Sequence, residues 1–203
     1  MRISRRESFA IMFAVARDAA RAVARAETSQ IQISLVPIFT KHDKAPSDDL
    51  IAGAGHALET TYRVTTHICE PEFYGGTDDG FEMLAFLGSR RERAMGVLSG
   101  PLRARTPAVS KLRNVCGYAN TPSDDVEQPL TSVITMHEFW SLNAERAKRA
   151  LGVVAVHELG HNFGAWDCRN PACLMCGQVD TVSMLQPSKF CETHANILWQ
   201  YLR

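Results

Sequence analysis

The stretch VHELGHNFGAWDC, Val156 to Cys168, carries the residues best suited to chemistry. On a helix, residues four apart share a face, so the imidazoles of His157 and His161 can reach one metal ion. Glu158 stands about 100° further around the axis. It lies beside the metal rather than on it, where its carboxylate can take the proton of an attacking water. Gly164 comes next, and a helix that must stop and reverse favours a residue tolerant of positive φ. The reversal lets Asp167 approach as a third ligand. Two imidazoles and a carboxylate leave the fourth position of a zinc ion open, as a catalytic site requires. The competing reading of a bare HExxH string is a solvated helical face. The glycine, the ligand behind it and the cysteines that follow favour the metal.

Six cysteines occur, and their distribution is uneven. Cys168, Cys173, Cys176 and Cys191 crowd towards the C-terminus, while Cys69 and Cys116 stand alone. A secreted disulfide scaffold spreads its cysteines over a short chain, whereas clustering beside histidines in a chain of 203 residues reads as metal binding. Cys69 and Cys116 read as small buried hydrophobes.

The elements that must position these groups can be read coarsely. Asn143 is a good cap for the helix that carries the ligands, expected over about 143–163. Upstream, IQISLVPIF (Ile31 to Phe39) reads as a strand. Ser47 caps a helix to about Thr60, and Tyr62 to Ile68 reads as a second strand. Glu70 to Asp79 is turn-rich and expected as an exposed loop. A helix follows over Gly80 to Arg93, with Phe81, Leu84, Ala85 and Leu87 available for the core. Ala94 to Ser99 and Val115 to Ala119 are short strand candidates, and Thr121 to Pro129 a polar loop. Thr131 to Phe139 alternates like a strand with one solvent face. A last helix runs from about Glu192 to Leu202. Strands separated by helices, with a helix-rich end, indicate a mixed α/β (α+β) domain.

Bulk properties exclude several classes. With 45% hydrophobic residues the chain can build a sizeable core. Its 22 basic and 22 acidic side chains cancel, giving no electrostatic case for nucleic acid or an anionic membrane as partner. No apolar run of about 18 residues predicts a transmembrane helix. Positions 1–30 are Arg-rich and amphipathic, with Phe9, Met12, Phe13 and Ala16 at helical spacing. They read as a helical segment ahead of a domain at 31–203, in preference to a targeting peptide.

On these residues the chain resembles the metzincin metallopeptidases, whose pattern is HExxHxxGxx(H/D). Among them it is similar to the archaemetzincins, which place a cysteine directly after the third ligand, then Cx4CxM and a later CxxC. Here Cys168 is followed by Cys173, Leu174 and Met175, then by Cys191-Glu-Thr-His194. The resemblance covers about 31–203 and is strongest from His157 to Cys191. It implies a metzincin-type zincin, with a mixed twisted sheet over an active-site helix and a zinc-stapled C-terminal subdomain at 168–194. It also implies two Zn2+ per chain, one catalytic and one structural, and peptidase or aminopeptidase activity. Met175 corresponds to the Met-turn methionine under the histidines, a packing element; the CxM spacing favours it over Met184.

Two departures matter. Archaemetzincins usually have histidine where Asp167 stands, and a carboxylate there implies weaker Lewis acidity, not lost metal. His194 replaces the last cysteine of the family pattern. A structural zinc on Cys168, Cys173, Cys191 and His194 is chemically sound, with Cys176 as an alternative ligand.

The implied reaction is peptide-bond hydrolysis with Glu158 as general base. Thr131 to Phe139 is the candidate edge strand for an extended substrate, and His137 on it reads as a surface histidine. A cytoplasmic monomer acting on peptides is expected. The rival reading is a zinc-stabilised peptide-binding protein without turnover. A zinc-ribbon nucleic-acid module is disfavoured by the neutral charge.

Overall fold

Runs rich in β-branched and apolar residues build a sheet whose central strands are buried along nearly their whole length. The computed structural model describes residues 31–106, 109–122, 129–177 and 189–203. The expected N-terminal helix, the middle of the loop at 121–129 and Met184 lie outside these residues. In chain order the elements are β1 (Ile31–Phe39), α1 (Asp48–Thr61), β2 (Val64–Ile68), β3 (Glu72–Phe73), α2 (Gly80–Gly88) and β4 (Arg93–Leu98). They continue with β5 (Arg103–Thr106), β6 (Val109–Asn114), β7 (Gly117–Ala119) and β8 (Leu130–Thr135). A 3-10 turn at His137–Phe139, then α3 (Ala144–Asn162) and α4 (Glu192–Leu198), complete the series.

The main sheet has the order β2-β1-β4-β8-β7, with β3 beside the end of β1. β1, β4 and β8 run parallel, and β7 closes the edge antiparallel to β8. β5 and β6 form a separate antiparallel pair. The mixed α/β class read from the sequence is the class observed. One face of the sheet packs on α2, through a cluster containing Val36, Ile38, Met83, Leu84, Leu87, Leu98 and Val133. α1 and α3 pack against each other, and α3 also packs on β7 and β8.

This burial corrects the reading of Thr131 to Phe139. The strand ends at Thr135, every residue from Thr131 to Thr135 is buried, and β8 is paired on both sides. A strand covered on both faces loses the alternation that marks a half-exposed one. Among the described strands, the edge on this side of the sheet belongs to β7 instead.

Other boundaries also moved. α2 ends at Gly88, short of Arg93, and Phe81 and Ala85 are exposed. Asp79 sets the helix phase by accepting a hydrogen bond from Phe81 N at 2.9 Å, which turns Met83, Leu84 and Leu87 inward. Within the expected loop at 70–79, Glu72 and Phe73 pair with Ile38 and Phe39 as β3. The β5–β6 pair had no sequence assignment, and α4 stops at Leu198. Cys69 and Cys116 are half-buried, not core. Among the described residues no helix is long and apolar enough to cross a membrane.

Candidate metal centre

α3 begins where its cap was expected: Asn143 Oδ1 accepts from Arg146 N at 3.0 Å. Near its other end His157 and His161 project from one face, with their Nε2 atoms 3.0 Å apart. Each ring is oriented from behind by a backbone carbonyl. His157 Nδ1 donates to Leu174 O at 3.0 Å and His161 Nδ1 to Ala165 O at 2.8 Å. These bonds fix the tautomer and leave two bare Nε2 lone pairs aimed at one point, an arrangement that calls for a cation between them.

Gly164 (φ 90°) is the positive-φ residue among those described, and it ends the helix as its position predicted. Gly164 N donates to His161 O at 2.9 Å and Ala165 N to Gly160 O at 2.9 Å, closing the last turn. The chain then reverses, and Asp167 Oδ1 comes to 3.5 Å from both His157 Nε2 and His161 Nε2. Ligands about 2 Å from one tetrahedral ion stand about 3.3 Å apart, so the three atoms fit a single zinc. The two histidines hold the Asp167 carboxyl far below the ordinary carboxylate range. Burial resists protonation of His161, but Asp167 and Glu158 outweigh it and raise its pKa.

Glu158 points off the ligand face. It is buried, and that burial raises its pKa; His157 and His161 oppose the rise, while Asp167 adds to it. Its side chain lies directly against β7, because a Cβ at Gly117 would stand 2.5 Å from Glu158 Cγ. Only glycine permits this approach. The neighbouring Cys116 thiol is pushed up to about 12 by burial and by the nearby Glu138 and Glu158 carboxylates.

Met175 is fully buried beneath the helix, and a Cβ at Gly160 would meet its Sδ at 2.5 Å. It therefore lies under the turn between the two histidines. Its backbone joins two regions: Met175 O accepts from Cys168 N at 2.6 Å, and Met175 N points at Cys173 Sγ at 3.4 Å.

The second cluster gathers Cys168, Cys173, Cys191 and His194, whose ligand atoms all lie within 4.8 Å of one another. Cys191 Sγ is 3.1 Å from His194 Nδ1 and 3.9 Å from Cys168 Sγ. His194 Nε2 donates to Trp166 O at 3.0 Å, which frees Nδ1 for a metal. Hydrogen bonding from His194 lowers the Cys191 thiol to about 6, whereas burial raises that of Cys173. Three thiols and an imidazole so placed suit a closed, structural zinc site. Cys176 is buried outside this quartet.

Neither a family model nor a curated protein matches the sequence. Solved structures do. The archaemetzincin of Methanopyrus kandleri has a TM-score of 0.63 at 18% identity, over 85% of this chain and 96% of that one. The archaemetzincin of Archaeoglobus fulgidus, crystallised with malonate, has a TM-score of 0.64 at 16% identity, over 82% and 99%. A zinc-dependent peptidase from Methanocorpusculum labreanum has a TM-score of 0.59 at 16% identity, over 82% and 99%. The fold is that of the archaemetzincins. At these identities the likeness is one of fold, and the archaemetzincin-like chain must carry its chemistry on its own residues.

Against the sequence reading, the archaemetzincin-like fold brings together His157, His161 and Asp167, and separately Cys168, Cys173, Cys191 and His194. His137 is exposed at the start of the 3-10 turn. Three contributors went unread. Gly117 seats Glu158, Gly160 admits Met175, and Asn162 ties α3 to the sheet. Asn162 left a faint trace in the sequence, a weak helix former placed directly after the second histidine.

Proposed function

We propose that this protein is a zinc-dependent metallopeptidase. His157, His161 and Asp167 hold the catalytic zinc, Glu158 is the general base, and Cys168, Cys173, Cys191 and His194 hold a structural zinc. The observation that carries this reading is the convergence of three donor atoms within 3.5 Å, with a buried carboxylate on the next residue of the same helix. When bound, the catalytic zinc supplies a Lewis acid that polarises the scissile carbonyl and makes water a better nucleophile. Glu158 then accepts the proton of the attacking water at its carboxylate and passes it to the leaving amine. Leu174 O and Ala165 O keep the imidazoles in the ligating tautomer.

β7 would hold the substrate. Thr135 N donates to Cys116 O and Asn120 N to Thr131 O, with Tyr118 opposite Val133. Hydrogen-bonded positions alternate along an antiparallel ladder, so Gly117 and Ala119 direct their backbone groups away from β8. An extended peptide can pair with them directly above Glu158. The family likeness adds an aminopeptidase-like preference, which a free-amino and an N-acetylated tetrapeptide distinguish. Clustered thiols kept as metal ligands suit a reducing compartment, so the proposal includes a cytoplasmic monomer without nucleic-acid or membrane partners.

The test is metal analysis of purified protein beside a peptidase assay on wild type and Glu158→Ala. Two zincs in both proteins, with turnover only in wild type, is the expected result. The second reading, a peptide-binding protein without turnover, draws on the carboxylate of Asp167, which tempers the zinc's acidity. Two zincs with no cleavage of a broad peptide library by wild type would establish it instead.

A further inference from the structure

We propose that Asn162 is a positioning residue, fixing the β7 edge over the Glu158–Asn162 face of α3 so that an extended peptide lies in reach of Glu158. The inference rests on β7 being the peptide-binding edge. Asn162 is 2% exposed and lies four residues after Glu158, on the face of α3 that meets β7 and β8. Its Nδ2 donates to Asn120 O at 2.7 Å and to Thr131 O at 3.0 Å. Because both neighbours are carbonyls, the amide orientation is unambiguous. Its Oδ1 is buried and has no hydrogen-bond partner among the described residues. An amide that leaves its oxygen unpaired inside the protein is held there by what its nitrogen does.

That nitrogen clamps two strands at once. Asn120 directly follows β7, and Thr131 lies at the start of β8; Asn120 N also donates to Thr131 O at 3.0 Å, and Asn120 Nδ2 to Thr131 Oγ1 at 2.8 Å. At its other end β7 rests on Glu158 through Gly117. The strand is thus seated on α3 at two points one helical turn apart, Glu158 and Asn162. Its outward groups on Gly117 and Ala119 lie between them. β7 is three residues long and, among the described residues, is paired on one side only, so it depends on this seat for its register and height. The Asn162 side chain hydrogen-bonds to strand carbonyls, and it acts through the strand.

Two probes separate this role from a general loss of structure. Acetohydroxamate binds a metal but is too short to reach β7, whereas a tripeptide hydroxamate spans both. Both affinities are measured by calorimetry on zinc-loaded protein. Asn162→Ala is expected to weaken the tripeptide hydroxamate about tenfold while leaving acetohydroxamate within about twofold. Zinc content stays at the wild-type value. Asn162→Asp preserves the side-chain volume but turns an oxygen on two carbonyls, and the same split is expected without a cavity. Should the alanine variant not fold, Asn162→Ser, which keeps one donor, gives a smaller split of the same sign. Equal loss of both probes, or loss of neither, overturns the inference. Wild type that favours the tripeptide hydroxamate no more than acetohydroxamate also overturns it. Wild type that binds both yet cleaves no peptide sinks the catalytic reading alone, and the ratio between probes still decides the role of Asn162.

Discussion

At the scale of single residues, the proposed ligand face of α3 was legible because metal chemistry fixes spacing. His157 and His161 had to be four apart, Glu158 one step around, and Gly164 at the break, and each stands where that logic put it. Asp167 was legible as a donor beyond a reversal. Its reach of 3.5 Å to both imidazoles gives the expected consequence of removing it: Asp167→Ala should lower zinc occupancy of the first site by about a hundredfold in affinity, read by competition with a chelating dye. Asp167→His should retain the metal and raise kcat, since a neutral third ligand leaves the zinc more acidic. Glu158→Gln, which keeps shape without basicity, should retain both zincs and lose at least about a thousandfold in kcat. Asn162 and Gly117 escaped notice for the opposite reason. What makes them matter is the strand that packs on them, and no spacing rule within a helix announces its neighbour.

At the scale of elements, the misreading of Thr131 to Phe139 is instructive. Alternation predicts a half-exposed strand, but α2 and α3 cover both faces of β8 and the preceding strand, β7, occupies the edge beside it. A segment of three residues with two small side chains has too little pattern to be recognised as the proposed substrate edge. Its proposed role sharpens one expectation. Gly117→Ala puts a methyl group into Glu158, so β7 or the carboxylate must move. The loss should appear as a fall in kcat/KM of about a hundredfold with zinc content unchanged, measured on a single peptide substrate. A further contact carries a pH signature. Glu59 accepts from Thr66 N at 2.7 Å and Thr66 Oγ1 at 2.8 Å, joining α1 to β2, and these bonds lower its pKa. A depressed carboxylate stabilises the fold above its unfolded pKa and loses that contribution as pH falls through the folded value. Glu59→Gln should therefore cost about 1 kcal/mol at neutral pH and little in acid, followed by denaturant melts.

For the whole molecule, the order of strands lay beyond the sequence, since parallel pairing of β1, β4 and β8 depends on crossovers whose direction no local residue states. What the sequence did expose is the adjacency that organises the C-terminal half. Asp167 and Cys168 are consecutive, yet one faces the His157–His161 pair and the other the thiol cluster. The segment 165–168 and the segment 173–175 are strung between the two centres. Ala165 O holds His161, Trp166 O holds His194, Leu174 O holds His157, and Met175 bonds Cys168 through its carbonyl while pointing its N–H at Cys173. A metal on the thiols would therefore stiffen the chain that aims Asp167. Cys191→Ser should bind a single zinc, and bind it more weakly than the wild-type first site, although Cys191 is not among the first site's three donors. It should also melt lower by about 8 °C, the shift expected when about 2.7 kcal/mol of ligand stabilisation is lost from a chain of this size. Independent centres would leave the first-site affinity of the variant unchanged, and a zinc titration followed by calorimetry decides between the two.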